Sequence, residues 1–344
     1  MLVKNRAKEL KYGFILILVT IVLFFVFFEA ILQINGLITK EKIIPDNTTL
    51  IHQKSDNQVL IYELAPNKET IYKGVTLKTN SLGMRDYEYS IKKLDAYRIA
   101  MVGDSIVFGV GVPLAHSIPK QLESILKTEK NIEVLNFGVA GYTTEKEIVY
   151  IKEKILKFEP DLIILIYAMN DIYDINNGID KFFQDSPDKC MVFAKVPIPC
   201  FIKSILTKIK TVNFIVGKVR AMMIQGINDD YYENIYKDKN NLARHDSDFK
   251  DLASLSKNTP LFFFIHPLLV EMKDYKWVNA HNTVSNLLIK NNIPYHDLLV
   301  DLQNYNLSSF RYDQNDILHP NKEANTLTSS IIKDVLEKNN LLPE

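Results

Sequence analysis

Cysteine is scarce, with two in 344 residues, too few for a disulfide scaffold or a four-thiolate zinc site. Any metal would therefore fall to histidines and carboxylates. Neither sign of charge is in excess, with 41 basic against 41 acidic side chains, whereas a protein that wraps nucleic acid needs a clear basic surplus. Glycine and proline, at 12 and 13 residues, are too few for fibrous or collagen-like chains. What remains is an ordinary globular balance of 47% apolar and 24% charged residues. The length fits about two domains at roughly 150 residues each, or one enlarged α/β domain.

The N-terminus breaks this even composition. Gly13 to Phe28 is a run of sixteen residues with no charge and only Thr20 as a polar member; Glu29 interrupts it, and Ala30, Ile31 and Leu32 resume it. That is close to the roughly 20 residues that span a bilayer. A transmembrane helix is expected over residues 12–36, with 1–11 on the cytoplasmic side. The orientation follows from Lys4, Arg6, Lys8 and Lys11 before the run, against Lys40 and Lys42 partly balanced by Glu41 after it. A cleaved signal peptide is the competing reading, disfavoured because no small-x-small cleavage site follows the run. Export would put Cys190 and Cys200 in an oxidising compartment, where a disulfide between them and two buried thiols both fit the sequence.

Residues 37–94 read as a linker and a small β-rich lead-in, with short alternating stretches such as Val59 to Tyr62 broken by Pro66, Gly74 and Gly83. Thereafter apolar strands alternate with amphipathic helices. Strands are expected at 98–102, 132–137, 161–168, 260–265 and 293–299, and helices at 118–126, 144–158, 278–289 and 321–337. This repetition predicts an α/β fold of three layers, α/β/α, around a parallel five-stranded sheet. Ligands in such sheets bind beyond the carboxyl ends of the strands. Four segments there carry unusual chemistry: Gly103-Asp104-Ser105, Asn136 to Thr144 around Gly141, Ala168-Met169-Asn170-Asp171, and Asp316-Ile317-Leu318-His319-Pro320.

In this order the four segments resemble the SGNH, or GDSL-type, serine hydrolases, over about residues 95–340 with one large interruption, within a hydrolase domain expected at 95–344. The resemblance implies a flavodoxin-like hydrolase fold with Ser105 as nucleophile, His319 as general base and Asp316 orienting the imidazole. It further implies an oxyanion hole from the backbone N–H groups of Ser105 and Gly141 and the side-chain amide of Asn170, with no cofactor and no metal. The chemistry agrees: a serine hydroxyl needs an adjacent base, the base needs an acceptor to fix its tautomer, and preorganised donors stabilise the developing oxyanion. Ile106 stands where Leu is usual, Ala168 where Gly is frequent, and Ala324-Asn325 where a Gly is common; none removes a reactive group. Asp104, Asp171 and His266 are substrate-pocket candidates, although Asp171 also suits a cap on the Asn170 loop and His266 a satisfied structural role. A metal site from His266, His296, Asp297 and His319 has no supporting ligand spacing.

An insertion at about 175–256 separates the third and fourth strands. Within it, residues 201–225 hold five basic side chains and no acidic one among apolar residues. This stretch suits a helix packed on the core with its lysines in solvent, or a surface laid on anionic headgroups or over the site. Residues 229–241 are expected to form an exposed loop. With residues 1–12 at +3 and 201–225 at +5, the rest of the chain sums to −8, so neutrality is a cancellation. The expected protein is a membrane-anchored, extracytoplasmic serine esterase acting on acyl esters, acetyl or short-chain, of an envelope glycan or lipid. An acyltransferase acting on an envelope polysaccharide, or a non-catalytic assembly factor, is the alternative.

Overall fold

The computed structural model describes residues 12–17, 19–20, 23–31, 51–72, 74–127, 131–172, 189–193, 196–199, 211, 232 and 234–343. The chain divides into two compact units, residues 1–43 with 185–228, and residues 44–184 with 229–344.

The larger unit begins with the β-rich lead-in. Strand β1 (His52–Lys54) pairs antiparallel with β2 (Tyr62–Leu64), and β3 (Glu69–Tyr72) with β4 (Val75–Lys78). Then come the strands of the main sheet: β5 (Tyr97–Gly103), β6 (Ile132–Gly138), β7 (Leu162–Tyr167), β8 (Leu261–Ile265) and β9 (Tyr295–Asp297). All pairs are parallel, in the spatial order β9-β8-β7-β5-β6. Every residue of β7, Leu-Ile-Ile-Leu-Ile-Tyr, is buried, as expected of a central parallel strand covered on both faces. The chain leaves β5 for β6 on one side and returns to β7 on the other. The sheet edge above β5 and β7 is therefore its switch point, the place at which sheets of this kind bind their ligands.

Strand alternation sorts the core into two layers. Ile99 and Met101 face α2 (Ile118–Leu126) and α7 (Lys322–Lys338), packing with Ile118, Leu122 and Ile332. Ala100 and Val102 face the opposite way, toward the layer of α3 (Thr144–Glu153), α4 (Lys239–Leu255) and α5 (Val278–Lys290), with Ile151, Phe249 and Val284. Two further short helices of the unit are α1 (Ser105–Phe108) and α6 (Leu299–Leu302). The α/β class and the five-stranded parallel sheet are as the sequence predicts, and three of the expected helices match within a residue at each end. The expected helix 144–158 instead stops at Glu153 and continues as a 3₁₀ turn, Ile155–Phe158, closed by Glu159 at φ 51°.

The insertion departs further from expectation. Residues 234–237 are helical, and α4 follows after Asp238, whose carboxylate accepts the backbone N–H groups of Asn240 and Asn241. Tyr236 is buried rather than looped out, its hydroxyl 2.6 Å from that of Tyr167 and donating to Met169 O. The apolar face was faint because α4 buries only His245, Phe249 and Leu252 among many charges.

In the smaller unit, residues 12–17, 19–20 and 23–31 are helical. Among the described residues no helix is long and apolar enough to cross a membrane, and the remainder of the 12–36 span lies outside them. Glu29, the charge that interrupts the apolar run, accepts both the backbone N–H and the hydroxyl of Thr211 at 2.7 Å. Strands Lys189–Phe193 and Val196–Pro199 pair antiparallel. Cys190 lies in the first of these; Cys200, and with it the disulfide question, lies outside the described residues, as does most of the basic stretch 201–225.

Candidate active site

The last residue of β5 leads into a turn that is forced tight. Asp104 caps α1 by accepting the Ile106 N–H at 2.8 Å, and the four-residue helix ends at Gly109 with φ 84°. A side chain at Gly138 would run into the backbone of Val107 and Phe108, so the end of β6 can only be glycine if α1 is to lie against it. Ser105 thus opens a short helix pressed between the ends of β5 and β6. The far end of that helix is held from the lead-in. The buried guanidinium of Arg85 donates to the carbonyls of Phe108, Gly109 and Val112, each at 2.6 Å. Burial lowers its pKa to about 10, which keeps it charged at neutral pH.

Ser105 Oγ lies 2.8 Å from His319 Nε2, and His319 Nδ1 lies 2.8 Å from Asp316 Oδ2. Residues 214 positions apart in the chain therefore meet at the switch point. The other Asp316 oxygen accepts the backbone N–H groups of Leu318 and His319 at 3.0 Å, so one carboxylate fixes both the turn and the ring. Burial alone would raise the Asp316 pKa; the hydrogen bond and charge of His319, with the two backbone donors, outweigh it and hold the carboxyl at about 2. Asp316 is thus an anion from mild acid upward.

Asn170 stands in the turn after β7 and donates its side-chain N–H to Asp104 Oδ2 at 3.1 Å. The same oxygen lies 3.0 Å from Ser105 Oγ. Asp104 therefore links the hydroxyl and the amide. An amide nitrogen has two hydrogens, and with one held by Asp104 the plane of the second is set. Asp171 closes this turn, accepting the Ala168 N–H at 2.6 Å, while its backbone carbonyl accepts the Thr144 N–H of α3. It is fully buried and serves as the cap the sequence allowed. Gly141 has φ 82°, in the loop that leaves β6, where the Val139 N–H bonds Gly103 O of β5.

Sequence reasoning missed Glu147. It lies on α3, is fully buried, and neither carboxyl oxygen meets a hydrogen-bond partner among the described residues. Burial first, and then the charge of Asp104, push its pKa well above the ordinary carboxylate value. Asp171 is raised in the same way, by burial and by the charges of Asp104 and Glu147. Only the position of α3 over the Asn170 turn reveals this cluster; in sequence Glu147 is one acid in a helix with others.

His266 directly follows β8, is buried, and its Nδ1 lies 2.9 Å from Pro267 O. Burial is the main reason its pKa falls to about 4, so the ring is neutral. The residues of the conceivable metal site are engaged separately: His296 with Asp301 at 2.6 Å, Asp297 with His281 at 2.9 Å, and His319 with Asp316. Among the described residues no group of three such side chains is placed to hold an ion.

The model of the GDSL-like Lipase/Acylhydrolase family matches residues 101–327. No curated protein sequence matches. Among solved structures the chain is similar to an acetyl xylan esterase at 14% identity and TM-score 0.43, over 70% of this chain and 99% of that one. It is also similar to a psychrotrophic esterase from Pseudoalteromonas sp. at 12% identity and TM-score 0.42, over 72% of this chain and 100% of that one. A third is an acetylxylan esterase from Geobacillus stearothermophilus, at 12% identity and TM-score 0.41, over 69% and 92% of the two chains.

Proposed function

This chain belongs to the GDSL-like lipase/acylhydrolase family and is an enzyme of the esterase class, and from that premise we propose that it cleaves acyl esters through Ser105, His319 and Asp316. The observation that carries this reading is the unbroken chain from Ser105 Oγ to His319 to Asp316, both links at 2.8 Å. Ser105 Oγ attacks the ester carbonyl while its proton passes to His319 Nε2. Asp316 holds the Nδ1–H and stabilises the imidazolium. The negative charge on the tetrahedral oxygen is received by the backbone N–H groups of Ser105 and Gly141 and by the second N–H of Asn170. His319 returns the proton to the leaving alcohol, and an acyl-serine remains. Water, deprotonated by the same imidazole, then releases the acid and restores the serine.

The proposed substrates are acetyl or other short-chain esters of an envelope glycan or lipid, met outside the cytoplasm by an enzyme tethered through residues 12–36. The apolar run and its flanking charges support the tether. So does the exposure of Phe14, Leu16, Leu23, Phe24 and Phe27 on helical residues. A reporter fused to the C-terminus that is active only in the cytoplasm would overturn the orientation.

Treatment with a fluorophosphonate tests the chemistry: the expected result is one adduct, lost in Ser105→Ala, and equal labelling of the variant removes the assignment. A panel of aryl esters and acetylated sugars then reads the substrate class. Fast acetyl release that falls with chain length is expected, and a long-chain preference overturns the short-acyl reading.

A further inference from the structure

The lead-in lies outside the matched segment 101–327, yet it reaches the loop that carries Gly141. The Tyr62 side chain of β2 is fully buried, and its hydroxyl donates to Ala140 O at 2.8 Å. In return the Tyr142 hydroxyl donates to Tyr62 O at 2.7 Å, and the two rings pack 5.5 Å apart. The ammonium of Lys146 lies 5.1 Å from the Tyr62 ring centroid. The lead-in strand and the loop are thus fastened on both sides of Gly141.

The carbonyl that Tyr62 holds and the N–H of Gly141 are two ends of one peptide group. No cis peptide occurs among the described residues, and in a planar trans peptide the C=O and N–H point in opposite directions. Fixing one fixes the other. This matters because glycine at 141, with φ 82°, removes the steric barrier that would ordinarily set the facing of the preceding peptide. Turning the 140–141 unit over exchanges positive for negative φ at residue 141, and glycine tolerates both. With a larger residue the backbone itself would choose; here a hydrogen bond has to.

We propose that Tyr62 is a positioning residue for the oxyanion hole: its hydroxyl pins the Ala140 carbonyl and so keeps the Gly141 N–H turned toward the substrate oxygen. The proposal rests on the esterase reading above. It makes the lead-in part of the catalytic apparatus rather than an accessory to the hydrolase fold, since the donor is contributed by one segment and aimed by another.

The test is Tyr62→Phe in the full-length chain, assayed on an aryl acetate. Loss of one neutral hydrogen bond that acts only on the transition state lowers kcat about tenfold and leaves KM unchanged. An arylboronic acid, which mimics the tetrahedral oxyanion on serine, loses affinity by the same factor. Tyr89→Phe supplies the folding control, because it too removes a hydroxyl contact from the lead-in, to Glu123 at 2.8 Å, without touching the 140–141 peptide. It is expected to lower the melting temperature and keep kcat. Should Tyr62→Phe not fold, Tyr142→Phe releases the Tyr62 backbone instead, with an expected two- to threefold fall in kcat, about half the effect in logarithmic terms. Unchanged kcat in the folded variant overturns the proposal, as does a loss that appears in KM or equally in Tyr89→Phe. A wild-type protein that neither hydrolyses the ester nor takes up a fluorophosphonate defeats the esterase reading itself, and this proposal with it.

Discussion

Two Asp–His–hydroxyl chains lie in the same unit of this molecule. One runs from Asp316 through His319 to Ser105; the other runs from Asp297 through His281 to Tyr275, with Asp297 to His281 at 2.9 Å and His281 to the Tyr275 hydroxyl at 2.6 Å. Distances alone do not tell them apart. Their surroundings do. His281 is 2% exposed against 16% for His319, and the Tyr275 hydroxyl receives the Leu268 N–H at 3.3 Å within the core. Burial drives the Tyr275 pKa far above that of a free phenol, the opposite of what a nucleophile needs. Ser105 instead stands at the sheet edge beside the Asn170 amide and the Gly141 loop. A hydrogen-bonded triad becomes a reaction centre only where its hydroxyl is reachable and donors await the oxyanion.

The buried chain has a role of its own. Leu268 precedes Leu269, whose N–H bonds Ile317 O at 2.7 Å and whose carbonyl accepts Arg311 Nε at 2.7 Å. Through Tyr275 it braces the segment that lies alongside the loop bearing His319. One chain is the proposed reaction centre and the other braces the segment beside it.

Breaking each chain at its carboxylate gives the sharpest contrast. Asp316→Asn is expected to lower kcat by about 10⁴, because the amide favours the wrong imidazole tautomer. Asp297→Asn should leave kcat within about threefold while destabilising the fold by about 1–3 kcal/mol, since it strands a buried histidine. Kinetics and thermal melts of both variants would collapse the distinction if the losses came out the other way round.

A smaller effect isolates the oxyanion donors proposed for the Ser105 chain. Asn170→Ala removes one oxyanion donor, and kcat should fall by about 10²–10³ with Ser105 still labelled by a fluorophosphonate, more slowly. Labelling at the wild-type rate would mean that the amide does not serve the oxyanion.

The smallest effect extends the comparison to two carboxyls near the site. Asp316 is held at about 2, so its contribution to stability is present above its ordinary value and is lost as pH falls through about 2. Glu147 is raised well above its ordinary 4.5, so the folded state keeps a proton that the unfolded chain releases. Stability associated with Glu147 is therefore full below that value and lost as pH rises toward its folded pKa, by up to about 1.4 kcal/mol per pH unit. Glu147→Gln needs no such proton. Its advantage over the wild type in denaturant melts should widen from pH 5 to pH 8, and a constant difference across that range would mean Glu147 is ionised in the fold.

Much of this was legible in the residues. The strand-and-helix alternation marks β5 to β9 because fully buried parallel strands read as unbroken apolar runs, and α2 because its apolar residues recur at helical spacing. Asp316 and His319 are close in sequence and share one turn, so their pairing was foreseeable. Helix α4 was not, because three buried side chains among seventeen residues leave almost no periodic signal. Glu147 and Tyr62 were invisible for a different reason. Their roles depend on what lies across from them, Asp104 and Asp171 for one and the Ala140 carbonyl for the other, and those neighbours are up to 78 positions away in the chain.

The sequence by itself thus determined the fold class, the strand ends at which chemistry would gather, and the residue types able to perform it, because these follow from local periodicity and the needs of ester attack. Only the tertiary structure decided which of two similar Asp–His–hydroxyl chains lies at the sheet edge and which in the core, which buried acids have their pKa raised beside Asp104, and that a lead-in tyrosine fastens the Gly141 loop. Reach, burial and the facing of a peptide are properties of packed neighbours, and no stretch of chain carries them alone.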